Sequence, residues 1–221
     1  MTTLAIVLFS IEILICLSAF VFSVIKIFNK NTSEYFIFLC LGTGAYLLEE
    51  VCAFVYAACG HTNPLGDFQV SMIGYLAFIF FLFTASFGVL DKEIIKDDKT
   101  KKAHLIALIA PIIVFIIYAF CIYMFIKQGQ NLTIIPLSIA VFLIMPASFF
   151  AMKHILLKNH NSHFKLTFIF NLILLIEYAI SLLYLISFLI FSLEAAQIVG
   201  FIGGIVIAAL PVLSVKESAK W

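Results

Sequence analysis

The sequence contains no arginine, and charged residues of any kind are scarce. They make up 11% of the 221 residues, whereas 64% are hydrophobic and the mean hydropathy is +1.19. An average soluble domain has about 25% charged residues, so this shortage excludes an ordinary soluble fold. The sequence also lacks a basic stripe interleaved with aromatic residues, which argues against nucleic-acid binding. No polar stretch is long enough for a separate soluble domain, and we therefore expect residues 1–221 to form a single membrane domain.

Long hydrophobic runs dominate what the sequence does contain. A run of about 20 apolar residues is long enough to cross the ~30 Å hydrocarbon core of a bilayer as a helix. Seven such segments can be counted, at residues 4–26, 35–58, 68–90, 103–126, 132–153, 164–190 and 195–215. The sequence thus predicts an all-α integral membrane protein with seven transmembrane helices. The first segment lacks a basic n-region, so we interpret it as a retained helix and not as a signal peptide.

The lysines predict the orientation of these helices. All lysines except Lys127 lie in the loops and the tail on one side of the predicted membrane. Because lysines accumulate in cytoplasmic loops, this asymmetry places the N-terminus outside and the C-terminus inside. The exclusive use of lysine as the basic residue is typical of an AT-rich bacterial genome. It favours the cell membrane of a bacterium, that is, the bacterial cytoplasmic membrane, as the location.

Four glutamates, Glu12, Glu49, Glu50 and Glu177, lie inside the predicted helices, and no lysine lies at their depth. An ionisable group in the middle of a bilayer costs about 2.5–3.5 kcal/mol on insertion scales, so it indicates a functional site by default. Each of these carboxyl groups has to be protonated, hydrogen-bonded to a neighbour, or matched by a cation from outside the chain. The alternative role is a protonated carboxyl that joins two helices, although such hydrogen bonds contribute only about 0.6 kcal/mol on average.

Other polar residues lie at helical spacing from the glutamates. Tyr46 precedes Glu49 by three residues, and Ser181 follows Glu177 by four, so each pair shares a helix face. The predicted site for a ligand or a proton comprises Glu12, Tyr46, Glu49, Glu50, Tyr56, Glu177, Ser181 and Tyr184. We predict no catalytic residue, no metal ion and no cofactor.

The first three segments and the last three can be aligned as an internal repeat. At an offset of 128 residues, Glu49 falls on Glu177 and Tyr56 falls on Tyr184, so both helices contain the pattern Glu-x6-Tyr. With a shorter following loop, Gly74 falls on Gly200. The alignment predicts a 3+1+3 parallel repeat, a plan that recurs among secondary transporters, with segment 103–126 as the lipid-facing linker. In topology this is similar to the SWEET sugar carriers, but the proline–glutamine dipeptide typical of that family is absent.

Three functions are compatible with these features. The favoured one is a transporter of a small cationic or protonatable solute, with Glu49 and Glu177 as pseudo-symmetric ligands. The second is a receptor module that binds such a ligand and signals through a separate partner at the charged loop Asp91–Lys102. The third, an intramembrane enzyme, is less favoured, because Glu49-Glu50 is not followed by an arginine and no histidine lies within the predicted helices near them. Expected partners are therefore membrane lipid, the small ligand, and a second copy or another protein at Asp91–Lys102.

Overall fold

The computed structural model describes residues 3–28, 33–59, 70–90, 98–129, 134–158 and 167–218. Every regular element within these ranges is a helix. The helices are α1 (Thr3–Ile27), α2 (Glu34–Ala58), α3 (Val70–Phe83), α4 (Asp98–Ala107), α5 (Ile109–Lys127), α6 (Ile134–Leu157), α7 (Phe168–Ile190) and α8 (Leu193–Ser218). A π-helical turn, Thr84–Leu90, extends α3.

Six helical stretches of the described chain are long and apolar enough to cross a membrane, which indicates a multi-pass membrane protein. They are Ile6–Ile27, Glu34–Tyr56, Lys101–Lys127, Leu137–Leu157, Phe168–Ile190 and Leu193–Ser214. Each corresponds to one of the predicted hydrophobic segments. The remaining predicted segment, 68–90, corresponds to the shorter apolar stretch Met72–Phe87. Large apolar side chains such as Leu14 and Phe142 are more than half exposed on the outside of the bundle, as expected for contact with lipid.

The structure corrects the boundary predicted before the fourth hydrophobic segment. We predicted a loop over Asp91–Lys102, but α4 already begins at Asp98, and only Leu108 separates α4 from α5. Lysine and alanine are favourable helix residues, so the helix extends beyond the apolar run that periodicity detects. Residues 91–97 of the predicted loop lie outside the described part of the chain.

The helices form a ring in the order α1, α2, α3, α6, α7 and α8, which closes where α8 packs against α1. Helix α5 lies outside this ring and packs against α6 and α7, and α4 packs against α6. We call the end of the bundle at which α1, α3, α6 and α8 begin the upper end. Helices α2 and α7 run in the opposite direction and finish there.

The lower half of the ring is filled by large side chains. Tyr35, Phe36 and Leu39 near the start of α2 are completely buried. The ring of Tyr35 lies 5.3 Å from that of Phe170 on α7, and its hydroxyl donates a hydrogen bond to the carbonyl oxygen of Ser214 on α8. Aromatic contacts of this kind contribute beyond the area that they bury. The lower ends of α2, α7 and α8 are therefore held together.

Glycine permits the closest approach in the upper half, between α2 and α3. A Cβ atom on Gly74 would lie 2.8 Å from the carbonyl oxygen of Ala45 and 2.9 Å from the backbone nitrogen of Glu49. These are backbone atoms, which a side-chain rotation cannot move away. Small residues are common where membrane helices touch, because attraction between helices in lipid depends on close packing.

We therefore expect Gly74→Ala to destabilise the protein by about 1–3 kcal/mol, the usual effect of overpacking. Gly42→Ala on the same interface is the matched control. A Cβ atom there would lie 3.5 Å from the side chains of Leu82 and Phe78, which is ordinary contact. Thermal unfolding of the purified variants in detergent measures the difference. Equal midpoints for Gly74→Ala and Gly42→Ala would contradict the backbone contact between α2 and α3.

Candidate functional site

A cavity of about 240 Å³ lies within the upper half of the ring. All six helices of the ring contribute to its wall, whereas no described residue of α4 or α5 does. The polar side chains in the wall are Glu12, Tyr46, Glu49, Glu50, Tyr75, Glu177, Ser181, Tyr184 and Gln197. The rest of the wall is aliphatic or aromatic, apart from glycine and alanine.

The structure brings together all the residues of the predicted site except one. The four glutamates, Tyr46, Ser181 and Tyr184 line the same cavity. Tyr56 is half-buried on α2 and does not belong to the wall. Although Tyr56 and Tyr184 occupy equivalent places in the sequence pattern, only Tyr184 reaches the cavity.

Glu12, Tyr46 and Glu50 form a connected group at the contact of α1 and α2. The Tyr46 hydroxyl donates a hydrogen bond of 2.8 Å to Oε1 of Glu12, and it also interacts with the carboxyl group of Glu50. The ring of Tyr46 is held by Phe78, with the two centroids 5.4 Å apart. Gly204 on α8 leaves the necessary space, because a Cβ atom there would collide with the carboxyl group of Glu12.

A second group connects α3 to α7. The Tyr75 hydroxyl donates a 2.7 Å hydrogen bond to Oγ of Ser181, which in turn donates a 3.2 Å hydrogen bond to Oε1 of Glu177. Gly203 on α8 packs against this carboxyl group, since a Cβ atom there would lie 3.7 Å from Oε2 of Glu177. Glu177 is therefore the final acceptor in this series of two hydrogen bonds.

Three carboxyl oxygens in the wall are left without a hydrogen-bond partner in the described chain. They are the Oε2 atoms of Glu49, Glu50 and Glu177. Glu50 and Glu177 are 6% and 3% exposed, so water does not solvate them freely. An unsatisfied buried polar group costs about 1–3 kcal/mol, and more when it is charged. A ligand that donates hydrogen bonds to these oxygens would offset this cost.

No described lysine or histidine lines the cavity. The buried Lys153 belongs to the lower part of α6, where its Nζ lies 5.5 Å from the ring centroid of Phe150. Within the described ranges, no three histidine, cysteine or acidic side chains are arranged to hold a metal ion. The cavity therefore concentrates carboxyl groups without a cation from the described protein to balance any charge that they carry.

Two polar residues of the wall, Tyr75 and Gln197, were missing from the predicted site. Tyr75 follows Gly74, which the repeat alignment places opposite Gly200, and its counterpart Phe201 also lines the cavity. The alignment thus contained a signal for Tyr75 that the focus on carboxyl groups overlooked. No comparable pattern identified Gln197, because its place in the cavity wall depends on how α8 packs against α7.

Comparisons with known proteins give no family for this chain. No known protein family, no curated protein and no solved structure matches this chain. Its function therefore has to be argued from the chemistry of the acidic wall.

Proposed function

We propose that this protein binds a small organic cation in the acidic cavity and transports it across the membrane. The observation that carries the proposal is that Glu12, Glu49, Glu50 and Glu177 line one cavity in which no described residue supplies a positive charge. Burial favours the neutral form of a carboxyl group, while a nearby opposite charge favours the ionised form. A cation that enters the cavity satisfies the ionised carboxylates, and protons occupy them when it leaves.

The contrast between the two halves of the ring supports transport over simple binding. The cavity occupies the upper half, while Tyr35, Phe170 and Ser214 close the lower half. In each state of a transporter, the binding site is closed on one side of the membrane and accessible from the other. Movement of helices around the site closes the open side and opens the closed one. In our proposal the described conformation has its lower side closed, and release requires these three residues to separate.

We also propose seven transmembrane helices in a bacterial cytoplasmic membrane, with the upper end outside, and a 3+1+3 parallel repeat. In this proposal the shorter apolar stretch Met72–Phe87 is the seventh transmembrane helix. The position of α5 outside the ring supports its role as the linker. At the offset of 128 residues, Glu49 and Glu177 both line the cavity, as do Ala53 and Ser181. The lysine asymmetry supports the orientation.

Neutralising one carboxylate should abolish most of the transport. We expect Glu49→Gln and Glu177→Gln each to lower the uptake of a labelled organic amine into proteoliposomes by at least ~10-fold, because each removes a carboxylate that exchanges the cation for a proton. Glu194→Gln is the control, since Glu194 is exposed at the start of α8 outside the cavity. Full uptake by both cavity variants would contradict the proposal. Tight amine binding without any uptake would instead favour the receptor function.

Cys59 tests the orientation, because it is exposed at the upper end of α2, whereas Cys16, Cys40 and Cys121 are buried. A membrane-impermeant maleimide should label intact cells through Cys59, and Cys59→Ser should remove this labelling. In the Cys59→Ser background, Lys102→Cys on α4 should be labelled only after permeabilisation. The reverse pattern would place the upper end in the cytoplasm.

A further inference from the structure

The polar residues of the cavity form two separate groups. The first acidic group consists of Glu12, Tyr46 and Glu50 on α1 and α2. The second acidic group consists of Tyr75, Glu177 and Ser181 on α3 and α7. Each group is hydrogen-bonded internally, and no hydrogen bond between described residues joins one group to the other.

Each acidic group retains the capacity to bind a cation. Oε2 of Glu50 in the first group and Oε2 of Glu177 in the second have no hydrogen-bond partner in the described chain. Both side chains line the cavity and are more than nine-tenths buried. Glu49 is close enough to interact electrostatically with members of both groups. A ligand with two positively charged centres would pair with both groups at once.

A ligand with one charged centre matches two separate acidic groups less well than a ligand with two. A metal ion requires several ligand atoms around one point, and no such set of acidic side chains is present in the described ranges. One ammonium group has three N–H donors, but they reach only oxygens about 2.8 Å from its nitrogen. A second ammonium group adds three more donors, so a ligand with two charged centres can serve each acidic group with its own.

The apolar part of the wall favours a ligand with an alkyl body. Phe9, Leu76, Val141, Ile144 and Phe201 line the same cavity as the carboxyl groups. Burial of methylene groups against such side chains is favourable, whereas a strongly hydrated ligand would lose water without compensation. The cavity of about 240 Å³ is far larger than the ~10–15 Å³ that a single water molecule needs, which leaves room for a short chain.

We propose that the ligand is a linear diamine, with one ammonium group bound by Glu12 and Glu50 and the other by Glu177, and with its alkyl chain against the apolar wall. This inference rests on the proposed function and specifies its substrate class. Tyr46 and Ser181 orient the carboxylates by donating to their other oxygens. Each ammonium then donates hydrogen bonds to an oxygen that otherwise has no partner.

The test compares α,ω-diaminoalkanes of increasing length with n-alkylamines of the same carbon number. Binding to the purified full-length protein in lipid nanodiscs is measured by calorimetry. Because the two acidic groups are held by the packed helices, we expect one chain length to bind most tightly. We expect that diamine to bind at least ~10-fold more tightly than its matched monoamine, since only the diamine pairs with both groups.

Glu177→Gln should remove the advantage of the diamine and leave the monoamine within about 2-fold of its original affinity, because the first acidic group is intact. Glu194→Gln should retain the full advantage. If Glu177→Gln fails to fold, as judged by gel filtration and thermal unfolding, Ser181→Ala should reduce the advantage by misorienting Glu177.

The outcomes separate this inference from the proposed function. Equal affinity for diamine and monoamine would overturn the diamine assignment and leave a cation-binding cavity. A diamine advantage that survives both Glu177→Gln and Ser181→Ala would do the same. Binding of neither amine would overturn the proposed function as well. Binding of Mg²⁺ or Ca²⁺ in place of amines would show a metal site and overturn the diamine assignment.

Discussion

Carboxyl groups inside a membrane bundle have to be neutralised, and this requirement governs the upper half of the structure. Placing Glu12, Glu49, Glu50 and Glu177 around one cavity concentrates a large potential negative charge in a low-dielectric region. Lysine could balance this charge only at a cost in insertion, and no described lysine lines the cavity. The balance has to come from protons or from a cation that enters, and either solution makes the occupancy of the cavity dependent on pH.

The surrounding helices are shaped to keep these groups in place. Gly74 allows α3 to reach the backbone of Glu49, and Gly204 makes room for the carboxyl group of Glu12. Tyr46 and Ser181 each donate a hydrogen bond to a glutamate, which fixes one oxygen and leaves Oε2 of Glu177 without a partner. Because these donors come from the same helix or an adjacent one, movement of a helix would change several carboxyl environments together. This coupling is what a transport cycle requires.

Hydropathy and helical spacing predicted much of this arrangement. The depth of each glutamate follows from 1.5 Å of rise per residue, so a shared cavity could be anticipated from the sequence. The nearly uniform apolar surface of segment 103–126 likewise predicted a helix that faces lipid, and α5 lies outside the ring. Physical rules that act along one helix are sufficient for both conclusions.

Contacts between helices were less accessible to sequence reasoning. The pattern Glu-x6-Tyr treated Tyr56 and Tyr184 as equivalent, but only Tyr184 reaches the cavity, because the rotation of each helix depends on its neighbours. The link from Tyr75 to Ser181 joins residues far apart in the chain and leaves no periodic signal. Similarly, the alignment favoured Gly200 as the counterpart of Gly74, whereas Gly203 is the glycine that packs against Glu177.

Calorimetry in buffers of different ionisation enthalpy measures the proposed exchange of protons for a cation. An alkylamine remains protonated well above neutral pH, with a pKa near that of lysine, about 10.4. Any proton released on binding therefore comes from the protein. Amine binding should release protons and weaken as the pH falls, because protons and the amine compete for the same carboxylates. Amine binding that releases no protons and keeps the same affinity as the pH falls would contradict the exchange of protons for a cation.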